Sequence, residues 1–175
     1  MNAFAATFLA AALLTATDDQ ELERLLKRAA YPLGEAVKKA QDIAKTGVVL
    51  SAELEDEDGK VVYSVEVAQG PKTLEIVLDA KTGELVEKTI EDDDQEELAK
   101  ACKITLSRAI EIALEKVPGK VYAAEAEVED EKTILEVKIV GDGRIQKVKI
   151  DPATGAILKV RARKIETEKK EGEKK

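Results

Sequence analysis

The chain contains two copies of one sequence pattern, and this duplication constrains its fold more than any other feature. Each copy opens on a Leu-x-x-Ala element, at Leu33 and at Leu106, and closes on an Asp-x-x-Thr-Gly element, at Asp79 and at Asp151. The sequence separation between the two Leu-x-x-Ala elements is one residue longer than the separation between the two Asp-x-x-Thr-Gly elements. The sequence therefore predicts two structurally equivalent units.

Each unit is small, so we expect the two to support each other at least in part. A domain of about 60 residues buries only about 60% of its unfolded surface and is marginally stable alone. Aromatic residues make up 3% of the chain, so its core must consist mainly of Val, Ile, Leu and Ala. The expected division is a signal peptide (1–16), an N-terminal helix (17–30), repeat one (31–90), an acidic linker (91–102), repeat two (103–162) and a charged, disordered tail (163–175).

Hydrophobic periodicity predicts one helix followed by four strands in each repeat. In repeat one, Leu33 and Val37 belong to an apolar helical stripe, and Leu50, Ala52 and Leu54 alternate with polar residues as on a half-buried strand. The sequence predicts an α+β fold in which each repeat packs its helix on its own four-stranded antiparallel meander sheet.

Repeat two follows the same plan, with Ala124, Ala126 and Val128 expected to face inward on its first strand. Tyr63 is expected to pack within the sheet of repeat one, whereas Tyr122 is assigned to the outer face of repeat two. The two aromatic side chains are therefore predicted to have different surroundings.

Several short motifs are predicted to form turns. Asp58-Gly59 is typical of a type I′ hairpin, which needs positive φ at both positions. In the Asp-x-x-Thr-Gly elements the carboxylate can accept backbone amide protons and the glycine can adopt a left-handed conformation. We therefore interpret these residues as turn-formers rather than as a binding site: Asp79, Gly83, Asp151 and Gly155.

Charge and residue types argue against nucleic-acid binding and against catalysis. The net charge of −8 repels phosphate backbones, and no basic patch with interleaved aromatic residues occurs. Cys102 is the only cysteine and the chain has no histidine, so neither an activated thiol nor an ordinary zinc site is available. We predict a protein that is not an enzyme, with no catalytic, cofactor-binding or metal-binding residues and no cofactor.

Each repeat has one cluster of acidic residues at its first hairpin. Neither has the spacing of a calcium-binding EF-hand loop. We interpret them as solvated strand faces, with weak divalent-cation binding as the alternative. The clusters consist of Glu53, Glu55, Asp56, Glu57 and Asp58, and of Glu125, Glu127, Glu129, Asp130 and Glu131.

The N-terminal run from Ala3 to Ala16 is uncharged and mostly apolar, which favours export. It suits the h-region of a signal peptide and is short for a membrane span of about 20 residues. Two features argue against cleavage after Ala16. Leu14 occupies the −3 position, where a small residue is usual, and no Lys or Arg precedes the run. A retained membrane anchor and a buried helix of a cytosolic protein are the alternatives.

Taken in order, these motifs resemble the PepSY domain twice over. Repeat one departs from the family pattern at Tyr31-Pro32 and at Thr46-Gly47, where Pro-Gly is usual. The resemblance implies an extracytoplasmic module without catalytic residues, of a kind found in propeptides of secreted metallopeptidases. It is carried by the segments Ile104–Ala109, Val117–Val121, Ile150–Gly155, Asp58–Val67 and Leu78–Gly83.

The resemblance implies an exported protein-binding module, periplasmic, secreted or at the cell envelope, that restrains or chaperones a secreted peptidase. An exposed sheet edge or face could accept an extended segment of such a partner. The alternative is a cell-envelope sensor or a module that binds cations or another ligand weakly. Specificity is expected where the copies differ, which is at the helix exits, the Gln69–Pro71 and Gly141–Gly143 turns, and the outer strand faces.

Overall fold

The structure is a computed structural model that describes residues 16–166. The predicted signal peptide, apart from Ala16, and the predicted tail beyond Glu166 lie outside the described residues. The elements are α1 (Ala16–Arg28), α2 (Leu33–Ala44), β1 (Val48–Glu57), β2 (Lys60–Gln69), β3 (Lys72–Asp79), β4 (Leu85–Glu91), α3 (Glu96–Ala101), α4 (Leu106–Lys116), β5 (Lys120–Glu129), β6 (Lys132–Gly141), β7 (Arg144–Ile150) and β8 (Ile157–Lys164).

All eight strands form one antiparallel sheet in the order β4-β3-β2-β1-β5-β6-β7-β8. The α+β class and the repeated helix and strands are confirmed, but the prediction of two separate four-stranded sheets is wrong. The first strand of each repeat would otherwise end its sheet with unpaired backbone groups. Pairing β1 with β5 satisfies those groups and joins two units that are individually too small for a large core.

The junction between the repeats is symmetric. Ala52 of β1 lies opposite Ala124 of β5, its counterpart in repeat two, and both side chains are fully buried. Because equivalent residues face each other across an antiparallel pair, a pseudo-twofold axis passes between them. The two repeats are related by rotation about this axis.

Helices α2 and α4 lie side by side on one face of the sheet, which we call the inner face. Their apolar stripes are buried against strand residues from both repeats. Full burial of each such side chain stabilises the fold by about 1.5–3 kcal/mol. The inner core includes Leu33, Val37, Leu106, Ile110, Val65, Ile76, Val137 and Val148.

The first strand of each repeat contains a β-bulge, which is one extra residue in the strand. The side chain of this extra residue lies on the opposite, outer face of the sheet. The register of β1 shifts between Val49 and Ser51, and that of β5 between Val121 and Ala123. Leu50 therefore does not share a face with Ala52, contrary to the predicted alternation. Tyr122, the counterpart of Leu50 in repeat two, lies on the outer face as predicted. The side chains of Leu50 and Tyr122 are both almost completely buried there.

The helix that precedes each repeat lies on the outer face of the other repeat. At one end of α1 the Asp19 carboxylate accepts two hydrogen bonds from Arg163 of β8, each 2.6 Å long. At the other end the Lys120 ammonium donates to backbone carbonyl oxygens of α1, among them that of Leu26 at 2.6 Å. Helix α3 instead approaches β1 and β2 of repeat one. The bulged residues Leu50 and Tyr122 lie on this helix-covered side.

Two details differ from the sequence-based expectations at strand ends. Val128, expected to face inward, is 66% exposed because its hairpin extends beyond the covering helices. Strand β8 continues to Lys164, past the expected start of the tail, and Ile165 packs against the core.

The predicted turns are confirmed. Asp58 and Gly59 have φ values of 51° and 81°, as a type I′ hairpin requires. In repeat one the Asp79 carboxylate accepts hydrogen bonds from the amides of Lys81 and Thr82, both 2.8 Å. Gly83, with φ 73°, packs so closely on the Tyr31 ring that a Cβ atom would come within 2.6 Å of it. Asp151 and Gly155 form the same turn in repeat two.

Among residues 16–166, no helix is both long and apolar enough to span a bilayer.

Candidate functional site

The outer face of repeat one carries a group of carboxylates spread over four adjacent strands. Glu66 of β2 lies directly opposite Glu75 of β3, an arrangement of like charges that costs stability. The backbone register places the remaining members on the same side of β1 and β4. We call this surface the acidic face and define it as Glu53, Glu55, Glu57, Glu66, Glu75 and Glu87.

Several of these carboxylates are partly buried and have raised pKa values. Burial, followed by repulsion from Glu53, Glu57 and Glu75, raises the pKa of Glu55 to about 7. Burial also raises the pKa of Glu66 to about 7, with Glu75 among the neighbouring charges that add to the shift and a hydrogen bond from Gln95 opposing it. The charged form is therefore disfavoured at both positions.

Cations hardly reach the acidic face from within the described part of the chain. There, its only ion pair joins the Glu53 carboxylate to the Lys138 ammonium, at the long distance of 3.9 Å. Neutral donors provide the remaining contacts. Ser64 donates to Glu75 at 2.9 Å, and Gln95 donates to Glu66 at 3.4 Å. The face consequently retains most of its negative charge without a counter-ion.

The equivalent surface of repeat two is neutralised. Lys138 and Lys147 occupy the positions that correspond to Glu66 and Glu75. The Lys138 ammonium lies 2.5 Å from the Glu125 carboxylate, and that of Lys147 lies 2.9 Å from Glu136. Lys149 likewise pairs with Glu129 at 2.5 Å. The two repeats therefore share a fold but differ in charge on the same face.

The structure divides the acidic cluster predicted for repeat one. Glu53, Glu55 and Glu57 face outward together and join the acidic face. Asp56 instead accepts a hydrogen bond from the Gly59 amide at 2.7 Å, and Asp58 lies at the hairpin turn with positive φ. The predicted cluster of repeat two also divides, because Asp130 and Glu131 occupy the corresponding turn.

The sequence analysis missed the three members of the acidic face that lie outside β1, which are Glu66, Glu75 and Glu87. Their signal was present in the duplication. Aligning the two copies on their Asp-x-x-Thr-Gly elements shows glutamate replaced by lysine at each of these positions. The two repeats therefore differ in the charge of this surface while sharing the residues that form the fold.

A cleft of about 300 Å³ lies between α2, the start of β1 and the segment before α4. Cys102 lines it beside Val37 and Gln41. Burial raises the pKa of the Cys102 thiol, which keeps it in the unreactive protonated form. Cys102 is therefore not an activated nucleophile.

Within the described ranges, no three His, Cys, Asp or Glu side chains are grouped so that they could hold a metal ion. The carboxylates of the acidic face are spread along and across strands rather than directed at one point. This geometry suits several separate positive charges better than a single cation.

Comparison with known families decides the classification. The family model for PepSY, described as "Peptidase propeptide and YPEB domain", matches residues 30–89 and 103–161. The chain belongs to the PepSY family. It is a tandem PepSY protein, since each repeat corresponds to one domain of the family. PepSY domains are extracytoplasmic modules of a generally non-catalytic type that is associated with peptidase propeptides.

Among solved structures, this PepSY protein is similar to one titled a "putative lipoprotein" from Clostridium difficile 630. The two chains are 25% identical, the alignment covers 76% of this chain and 93% of the other, and the TM-score is 0.44. The search of curated proteins found no significant match.

Proposed function

We propose that this protein is an extracytoplasmic, non-enzymatic binding module that holds a secreted peptidase through the acidic face of repeat one. The carrying observation is the charge difference between the repeats, in which Glu66 and Glu75 stand where repeat two has Lys138 and Lys147. The fold does not require this difference, since repeat two has the same strands with compensating cations. The association of the family with peptidase propeptides supports the choice of partner.

The partner would present lysine or arginine side chains to the face. The raised pKa values of Glu55 and Glu66 show that their charges are poorly stabilised in the free protein. A cation from the partner would lower those pKa values and form charge-assisted hydrogen bonds, each contributing about 1.5–3 kcal/mol. Relief of the repulsion between these carboxylates would thereby contribute to the binding free energy.

A basic segment fits this surface better than a metal ion does. The carboxylates lie on four neighbouring strands, so one cation cannot reach them all. An extended peptide that crosses the strands could offer a separate cation to each row. The binding free energy would then depend on several distributed contacts rather than on one coordination site.

The direct test mixes the full chain with secreted metallopeptidases from the same source, then measures peptidase activity and runs the mixture on a sizing column. We expect a complex that weakens in a Glu55→Gln/Glu66→Gln/Glu75→Gln triple variant. The matched control is Glu127→Gln/Glu129→Gln in repeat two, which removes carboxylates from the neutralised face. If no peptidase forms a complex or changes its activity, the proposal is overturned.

A calorimetric titration with Ca²⁺ separates this function from cation binding. We expect weak, non-saturating heat, because the described residues offer no converging set of ligands. A saturating isotherm that the triple variant abolishes would instead support the cation-binding alternative.

A further inference from the structure

The two edge strands of the sheet carry opposite charges on the outer face. On β4 the outer residues are Glu87, Thr89 and Glu91, as shown by their pairing with Val77, Glu75 and Thr73. On β8 the outer residues are Lys159, Arg161 and Arg163, which pair with Lys149, Lys147 and Ile145. These β8 residues are the counterparts of the β4 residues when the two copies are aligned, so one edge of the protein is acidic and the other basic.

The same two strands also expose apolar side chains. Among the described residues, six of the eight exposed large hydrophobic side chains lie on β4 or β8. On β4, Ile90 is 63% exposed and on β8, Val160 is 38% exposed, and both belong to the inner face. The remaining four are Leu85, Val86, Ile157 and Leu158. Within residues 16–166, each edge therefore combines backbone groups without a strand partner, exposed apolar side chains on the inner face and a charged outer side.

We propose that a second copy of this chain docks on each edge, with β8 of one copy pairing antiparallel to β4 of the next and extending the sheet head to tail. All eight strands are antiparallel to their neighbours, so the two edge strands β4 and β8 run in opposite directions. A second copy that is moved sideways across the strands, without rotation, therefore places its β4 beside β8 of the first copy in antiparallel orientation. The outer faces then remain on the same side. Of the residues that form the acidic face, this arrangement uses only Glu87, at the edge of that face.

One register satisfies both faces of the new strand pair. Placing Ile90 opposite Val160 of the next copy joins apolar side chains on the inner face. The same register places Glu91 opposite Lys159 on the outer face. It also places Glu87 opposite Arg163, whose guanidinium already pairs with Asp19 of its own copy, so the Glu91–Lys159 pair is the main charge contact. Opposite charges directly across an antiparallel pair are stabilising, whereas like charges are destabilising.

The competing edge pairings place like charges together. Joining β4 to β4 would bring Glu87 and Glu91 of two copies together, and joining β8 to β8 would do the same for Lys159 and Arg161. Charge therefore selects head-to-tail pairing over a twofold dimer. A head-to-tail contact leaves one free edge at each end, so the assembly grows beyond a dimer unless it closes into a ring.

The test uses the full chain and measures average mass by sedimentation over a wide concentration range. We expect the mass to rise beyond that of a dimer as concentration increases. Two charge-reversed proteins are made, the β4 variant Glu87→Lys/Glu91→Lys and the β8 variant Lys159→Glu/Arg161→Glu. Each alone should associate at least about tenfold more weakly, because attraction at the edge becomes repulsion.

An equimolar mixture of the two variants distinguishes pairing from misfolding. The lysine introduced at position 91 of one variant directly faces the glutamate introduced at position 159 of the other, and the lysine at position 87 lies diagonally across from the glutamate at position 161. We therefore expect the mixture to regain association that neither protein shows alone. The control Lys81→Glu/Lys116→Glu makes the same change in net charge as the β8 variant at exposed positions off both edges. It should associate like the unmodified protein.

Three results would overturn the proposal. The first is a protein that stays monomeric at every concentration. The second is an association that survives reversal of either edge. The third is a mixture of variants that stays as dissociated as each variant alone while circular dichroism shows both to be folded. The peptidase complex provides a separate readout with the β8 variant, which changes no residue of the acidic face and should bind the peptidase whether or not the edges pair.

Discussion

The methyl groups of Ala52 and Ala124 face each other at the centre of the sheet, each residue opposite its own counterpart from the other repeat. Both are fully buried between the sheet and the helices of the inner face. The pair thus marks the place where two small units become one core. A disturbance here should be felt equally by both.

Replacing Ala52 with leucine tests this coupling. The larger side chain overpacks the junction, and we expect the free energy of unfolding to fall by about 1–3 kcal/mol. Hydrogen exchange should show amides in β2 and β6 losing protection together. Ala162→Leu, at an exposed position of β8, serves as the control and should change little. Loss of protection confined to repeat one would contradict a shared core.

The two buried tyrosines provide a matched pair of substitutions. The Tyr63 hydroxyl donates to the Tyr31 carbonyl oxygen at 2.7 Å, whereas the buried Tyr122 hydroxyl has no hydrogen-bond partner among residues 16–166. Tyr63→Phe should therefore lower the free energy of unfolding by about 1 kcal/mol, because it removes a hydrogen bond and leaves the partly buried Tyr31 carbonyl without this donor. Tyr122→Phe should be neutral or stabilising. Urea unfolding of both variants checks the prediction, which fails if Tyr122→Phe costs as much as Tyr63→Phe.

The acidic face predicts an unusual dependence of stability on pH. Glu55 and Glu66 have a pKa of about 7 in the folded protein against an ordinary value of 4.5. Between these values the folded state binds more protons than the unfolded state, so the free energy of unfolding should rise as the pH falls from about 7 towards 4.5. Asp19, Asp79 and Asp151 have lowered pKa values and act in the opposite direction, so stability should fall again below about pH 4.

Replacing Glu55 and Glu66 with glutamine should remove the rise in the free energy of unfolding that is expected as the pH falls. At pH 8 we expect Glu55→Gln/Glu66→Gln to increase the free energy of unfolding by roughly 1 kcal/mol per residue, after allowing for screening by solvent. Denaturant unfolding at pH 8 and pH 5 measures the difference. Glu84→Gln, an exposed residue outside the face, is the control. A variant that gains stability while losing its partner would show that the charges are retained for binding.

The Asp19–Arg163 pair is predicted to hold α1 on repeat two. Asp19 is almost completely buried, and besides Arg163 it accepts a hydrogen bond from the Glu166 amide at 2.8 Å. Asp19→Asn should lower the free energy of unfolding by about 1–3 kcal/mol and increase hydrogen exchange in α1, since a charged partner loses its counter-ion. Glu21→Gln, which breaks the exposed contact to Arg24, should have little effect. Equal effects of the two substitutions would contradict the tethering role.

The duplication predicted the repeated elements and turns well, because these depend on residues close together in sequence. The apolar stripe of α2 and the glycine of each turn carry that information locally. The joining of the sheets was not predicted, since a meander that ends at an edge strand and one that continues into its twin have the same periodicity. What decides between them is a contact between Ala52 and Ala124, two small side chains without a distinctive pattern.

The candidate site was only partly predicted for a related reason. The run of carboxylates before the hairpin of repeat one is contiguous and was recognised. Glu66, Glu75 and Glu87 lie on three other strands and become neighbours only after folding. The bulge that turns Leu50 towards the outer face was not predicted either, because an extra residue in a strand interrupts the alternation without adding a characteristic sequence.

The crossing of α1 and α3 suggests what a chain with only one repeat would need. Such a chain would leave its first strand without a neighbour and its leading helix without a surface to cover. Two copies could meet both needs at once, by pairing their first strands about a true twofold axis and exchanging their leading helices. The present protein therefore has the form of a helix-swapped dimer whose subunits are joined by a covalent linker. That linker also makes the halves unequal in sequence, so that one face can keep its charge while the other loses it.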